Sequence, residues 1–138
     1  MELNMPRELL MTRHYYADCA LERDEFKEAE RRYSEALKAA IDFGDTWEAA
    51  AEMQGMAMGI AGQGRYRKAL RLGEAADKKF EELGANVKGI KFWQILMERH
   101  ICRARKELGE KAAAELEKEG RQMGFEKAVE YALDFDKD

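Results

Sequence analysis

Apolar and small residues recur at three- and four-residue spacing along most of the chain, which is the pattern of helices that bury one face. Alanine, glutamate, lysine, leucine, arginine and methionine dominate, and all are good helix formers. The single proline, Pro6, suits the first turn of a helix. No segment alternates apolar and polar residues as a half-buried strand does. The sequence therefore predicts an all-α fold.

Glycines and short polar groups mark the predicted helix ends. Thr46 and Asn86 are the expected N-caps of the third and fifth helices, and Gly44 is expected to close the second in the left-handed conformation. Gly109 and Gly120 are expected to end the fifth and sixth helices. The seven predicted helices run from about Pro6 to Leu21, Asp24 or Glu25 to Phe43, Trp47 to Ala61, Tyr66 to Leu83, Asn86 to Leu108, Glu110 to Glu119 and Phe125 to Leu133.

Loops of only a few residues separate successive helices, so neighbouring helices are expected to pack antiparallel. The 138 residues then form one domain of helical hairpins, at about 6–43, 46–83 and 86–119. The last helix, at about 125–134, is expected to lie across the end of the stack as a cap.

Two stretches forty residues apart share one apolar skeleton, in which an aromatic residue is followed by small or aromatic residues at helical spacing. The predicted packing residues are Ala17, Phe26, Ala29, Tyr33 and Ala36 in the first copy and Ala57, Tyr66, Ala69, Gly73 and Ala76 in the second. A fixed period in this range indicates stacked helical hairpins, which ordinarily hold other molecules.

These positions resemble tetratricopeptide repeats, and the resemblance implies a right-handed stack of hairpins. Ile41 and Glu81 stand where that family has a closing proline, and the repeat is longer than the family's. Longer repeats of this kind are similar to the C-terminal repeat region of LuxR-type, ATP-dependent bacterial transcription regulators. Residues 81–85, 107–110, 119–120 and 125–133 follow the closing order of that region. The chain carries no ATPase motif and no recognisable helix-turn-helix, so regulation would need other chains.

In such repeats the first helix of each hairpin lines a concave groove. The resemblance places seven side chains in this groove: His14, Asp18 and Leu21, then Gln54 and Met58, then Gln94 and Glu98. A groove of mixed polarity suits a peptide or a helix of a partner. The alternative is that the chain's own last helix fills the groove.

The fifth predicted helix is apolar on more than one side, and a second copy of the chain is one candidate to cover it. The sequence thus allows a homodimer through residues 86–108. Met53, Met56 and Met58 crowd the third helix, where core packing is the expected role and an adaptable binding face the alternative.

Composition narrows the class of protein further. Apolar residues make up 46% and charged residues 38%, the net charge is −4, and no long apolar run or basic leader is present. We therefore expect a cytoplasmic protein that binds neither membranes nor nucleic acid directly. Residues 86–106 carry an excess of positive charge. This indicates either a solvated helix face or a surface for an acidic partner. Cys19 and Cys102, far apart and outside any Cys-x-x-Cys spacing, are expected to be buried thiols.

The sequence holds no motif for catalysis. His14 and His100 are the two histidines, and neither belongs to a Glu-x-x-His or His-Glu-x-x-His motif that would build a metal site. We expect no enzyme activity, cofactor or metal. The leading hypothesis is a scaffold that binds a protein or peptide. The alternative is a small-molecule sensor domain of a transcription regulator, with an apolar pocket among His14, Met58 and Trp93.

Overall fold

The computed structural model describes residues 5–85 and 90–138. Its regular structure within these ranges is entirely α-helical, which confirms the predicted fold class. The helices are α1 (Met5–Glu22), α2 (Phe26–Phe43), α3 (Thr46–Gly62), α4 (Tyr66–Glu82), α5 (Lys91–Leu108), α6 (Glu110–Gln122) and α7 (Phe125–Leu133).

Most predicted helix ends lie within two residues of the observed ones, and the exceptions have local causes. Asp45, not Thr46, caps α3, because its carboxylate accepts the backbone N–H of Glu48 at 3.0 Å. Gly44 takes the expected left-handed conformation, with φ of 81°. The predicted cap Asn86 lies outside the described residues.

Gly120 does not end α6, which continues to Gln122. A Cβ atom at position 120 would collide with the backbone carbonyl oxygen of Arg71 on α4. The glycine is therefore needed because two helices approach closely there, and it is tolerated inside the helix for that reason. The prediction of a break at Gly120 was wrong.

The first four helices pack antiparallel on their chain neighbours through small residues. Tyr33 of α2 lies against Gly55 of α3, and Phe26 at the start of α2 lies against Gly62 at the end of α3. The predicted packing alanines are all buried, namely Ala17, Ala29, Ala36, Ala57, Ala69 and Ala76. Phe26 and Tyr66 are half-buried. The three methionines of α3 lie in the core.

The last two helices lie along α4. Next to Gly120, Arg121 of α6 pairs with Glu74 of α4 at 3.0 Å. α7 packs on α4 and α3, and the buried Lys68 of α4 donates to the carbonyl oxygen of Asp134 just after α7, at 2.7 Å. Neither helix contributes a lining residue to the cavity that contains the predicted groove residues His14 and Asp18.

Both cysteines are exposed, and the prediction of buried thiols was wrong. Each sits two residues from a buried position of its helix, Cys19 after Ala17 and Cys102 after His100. A step of two residues turns a helix by about 200°, so each thiol points away from the core. Across the described ranges, no helix is both long and apolar enough to span a membrane.

Candidate functional site

A cavity of about 310 Å³ opens between α1, α3 and the start of α5. Its rim is apolar and exposed, formed by Tyr15 of α1, Trp47 of α3, Ile90 before α5 and Phe92 of α5. The inner wall is polar, with side chains that are mostly buried: His14, Asp18 and Glu48. A larger cavity beside α7, about 430 Å³, is lined by none of the predicted groove residues.

The polar wall belongs to a group of four side chains, which we call the His14 cluster: His14, Asp18, Glu48 and Glu52. The His14 Nδ1 lies 2.8 Å from one Glu52 oxygen and 3.5 Å from a Glu48 oxygen. The His14 Nε2 lies 3.3 Å from Asp18, and the Tyr33 hydroxyl donates to the other Asp18 oxygen at 2.6 Å. Every ring nitrogen of His14 thus faces a carboxylate.

Helix periodicity explains how four residues from two helices meet. His14 and Asp18 are four apart on α1, and Glu48 and Glu52 are four apart on α3, so each pair lies on one face of its helix. The two faces meet where α1 and α3 pack. Glu52 is fully buried and Glu48 nearly so.

The environment shifts the protonation of these groups. Burial lowers the pKa of His14, but hydrogen bonds to Asp18 and Glu52 outweigh it and raise that pKa to about 10. Burial raises the pKa of Glu52 to about 8, although His14 opposes the rise. Burial also raises the pKa of Tyr33 far above its usual value, so Tyr33 stays a hydrogen-bond donor.

α5 forms the outer side of the cavity through Trp93. Its ring lies 5.7 Å from the His14 ring, and its Nε1 donates to the Gln54 side-chain oxygen at 2.7 Å. Gln54 in turn donates to Asp77 of α4 at 2.5 Å. This polar chain fixes α5 against α3 and α4.

No protein-family model matches the chain, and no curated protein or solved structure matches it either.

The predicted groove residues have different positions in the structure. His14 and Asp18 line the cavity. Leu21, Gln54 and Met58 are buried, and α5 packs on α3 where the open groove was expected. Gln94 is half-buried and Glu98 exposed, and neither lines the cavity. Of the three pocket residues predicted for a sensor, His14 and Trp93 come together, whereas Met58 is not a lining residue.

Sequence reasoning missed Glu48, Glu52 and the rim residue Trp47. A signal was present, because Glu48 and Glu52 are the acids of a mainly apolar helix that has no lysine or arginine. Acids on such a helix have no lysine or arginine on the same helix to form surface ion pairs with. This indicates buried carboxylates that have a specific partner on another helix.

The arrangement suits a ligand with an apolar body and a positive end. The aromatic rim offers contact area and ring faces that attract cations. Asp18 and Glu48 place carboxylates at the inner end, within the reach of a ligand that enters past Phe92. One His14 nitrogen and one oxygen each from Glu48 and Glu52 also lie within 4.8 Å of one another, a spacing that three ligands of one metal ion can adopt.

Proposed function

We propose that this chain is a non-catalytic binding module, and that its cavity takes an organic cation carried by a partner protein. The cation would be the ammonium or guanidinium group of a lysine or arginine side chain next to an apolar residue. The observation that carries this proposal is the combination of an exposed aromatic rim with carboxylates at the inner wall.

Charge supports the choice of a cation. Among the described residues, no lysine or arginine pairs with Asp18 or Glu48, so their charges are offset only by His14. An anionic ligand would bring a further negative charge to partly buried carboxylates, which is unfavourable at low local dielectric. An arginine or lysine stem also packs well on aromatic rings.

The second candidate is a free small amine, which would make the chain a sensor domain. The cavity volume, about 310 Å³, is at the lower end of the range of small-molecule pockets. Both candidates are organic cations with an apolar body. They differ in the source of the cation, which is a partner protein in the first case and a free small molecule in the second. We propose further that the module is a tetratricopeptide-like stack of helical hairpins. It would act in the cytoplasm, as part of a bacterial regulatory system.

Calorimetric titration tests the proposal with matched probes. Phenethylamine serves as the free amine, the blocked dipeptide Phe-Arg as the peptide, and phenethyl alcohol as the uncharged analogue. We expect both cations to bind and the alcohol to bind at least about tenfold more weakly, since a lost charged contact is worth more than 1.4 kcal/mol. Tighter binding of the dipeptide than of the amine favours a protein partner, and the reverse order favours a sensor.

Two phenylalanines provide a matched pair of variants. Phe92 lines the cavity and Phe43 does not, and their exposures are similar, 47% and 43%. Phe92→Ala should weaken binding of the cations about tenfold or more, whereas Phe43→Ala should leave it unchanged. Equal binding of the amine and the alcohol, or equal losses in the two variants, would refute the proposal.

A further inference from the structure

The ligand atoms of the His14 cluster have the spacing of a metal site. In a tetrahedral zinc site with bonds of about 2.0–2.2 Å, ligand atoms stand roughly 3.3–3.6 Å apart. The His14 Nδ1 lies 3.5 Å from the Glu48 oxygen and 2.8 Å from the nearer Glu52 oxygen. All three ligand atoms lie within 4.8 Å of one another, which is close to this spacing.

The other side of His14 has the support that a metal-binding histidine needs. Its Nε2 faces Asp18 at 3.3 Å, and Asp18 is held by the Tyr33 hydroxyl at 2.6 Å. When an ion displaces the proton on Nδ1, Nε2–H still donates to Asp18, and Nδ1 then presents its lone pair towards Glu48 and Glu52. Metal-bound histidines commonly have such a carboxylate partner, which fixes the tautomer and the ring orientation. This arrangement is independent of the distances between the three ligand atoms.

The carboxyl groups of the cluster also outnumber its positive groups. Three carboxyl groups face one imidazole, and within the described ranges no lysine or arginine pairs with Asp18, Glu48 or Glu52. Buried carboxylates are unfavourable unless a positive charge or a metal ion balances them. An ion has a route inward, because His14 and Glu48 both line the cavity.

We propose that His14, Glu48 and Glu52 bind one divalent transition-metal ion, with Asp18 and Tyr33 as positioning residues. An imidazole nitrogen with two carboxylates suits Zn²⁺ and related ions, whereas Mg²⁺ and Ca²⁺ prefer oxygen ligands alone. The ion would join α1 to α3 beneath the cavity. The ion and the organic cation would share the Glu48 carboxylate, so each is titrated in the absence of the other, and the failure of one titration leaves the other proposal open to its own test.

Zinc titration followed by NMR of the two histidines tests the site without any loss of its residues. The protein used is the Cys19→Ser/Cys102→Ser variant. The two cysteines of the unsubstituted chain are exposed, and their thiols would bind Zn²⁺ outside the proposed site. We expect the His14 ring signals to shift and saturate at one ion per chain, the His100 signals to stay, and excess Mg²⁺ to have no effect. Shifts at His100 alone, or at neither histidine, would overturn the proposal.

Matched variants in the same background separate ligands from bystanders. Glu52 and Glu30 are both buried glutamates, but Glu30 pairs with Arg65 outside the cluster. Glu52→Gln should weaken Zn²⁺ binding at least about 100-fold and Tyr33→Phe about 10- to 100-fold, as ligand and supporting residue respectively. Glu30→Gln should leave it unchanged. Circular dichroism of each variant confirms folding, and equal losses in the two glutamate variants would contradict the assignment.

Discussion

Single buried polar residues decide how α5 is attached to the rest of the molecule. Gln54 is almost fully buried and uses both ends of its amide, accepting from Trp93 and donating to Asp77. A buried amide with both ends bonded fixes the position of its partners, since any displacement leaves an unpaired group. Gln54 therefore has an internal structural role and is not available at a groove surface.

Asp77, which accepts the hydrogen bond from Gln54, should make the stability of the protein depend on pH. Burial and the charge of Glu74 raise its pKa from 3.8 to about 6, against the hydrogen bond from Gln54. Because the folded-state pKa is above the unfolded value, this contribution to stability is fully present below pH 3.8 and is lost as pH rises through about 6. Asp77→Asn, which stays uncharged and still accepts from Gln54, should avoid the loss.

Urea unfolding at two pH values measures this effect. We expect Asp77→Asn to raise the free energy of unfolding by about 1–3 kcal/mol at neutral pH, and to change it little near the unfolded-state pKa of 3.8. Asp42→Asn, an exposed change on α2, is the control. An equal effect at both pH values would contradict the origin in the Asp77 charge.

At the scale of helices, the close approach of two helices explains why a glycine lies inside α6, which the periodic pattern of the sequence does not predict. Gly120 lies inside α6 because the α4 backbone at Arg71 leaves no room for a Cβ atom. Gly124, which precedes α7, has open space around its α-carbon and an ordinary φ of −64°. The two glycines look alike in the sequence, yet only one of them is required by packing.

Replacement of each glycine by alanine tests this difference. Gly120→Ala should lower the free energy of unfolding by about 1–3 kcal/mol, since the neighbour is a backbone carbonyl that cannot move alone. Gly124→Ala should change it by less than about 0.5 kcal/mol. If Gly120→Ala instead stabilised the protein, as alanine does at a free helical position, the α4–α6 contact would be wrong.

The helices were predictable because each carries its own evidence in spacing, caps and glycines. The His14 cluster was only half predictable. His14 and Asp18 were selected from α1, but their meeting with Glu48 and Glu52 depends on how α1 packs on α3. Likewise the sequence places Trp93 on a packing face, but not its contact with Gln54, because that depends on where α5 crosses the first two hairpins.

For the whole molecule, the sequence predicts that α5 has a second apolar face, and a further surface must cover it. Phe92 and Ile95 are exposed on this helix, 47% and 49%, and Ile95 does not line the cavity between α1, α3 and α5. Exposed apolar side chains grouped on one helix are typical of surfaces that contact another protein. A homodimer through this face therefore remains a prediction.

Sedimentation at rising protein concentration tests the homodimer. We expect dimers at high concentration and their loss in Ile95→Glu, because a buried charge in an apolar interface is unfavourable. Ile41→Glu, at a similarly exposed isoleucine of α2 (43% exposed), should leave the dimer intact. Monomers at every concentration would remove this prediction, and the cavity would remain testable by itself.

The central claim is that the cavity between α1, α3 and α5 binds an organic cation, and the tryptophans report on it directly. The chain has two tryptophans and both line the cavity. In a ¹H–¹⁵N NMR titration with phenethylamine, we predict saturable shifts of both indole signals and of the His14 and Asp18 amides. Shifts confined to α6 and α7, or unmoved indole signals at saturating amine, would contradict the claim.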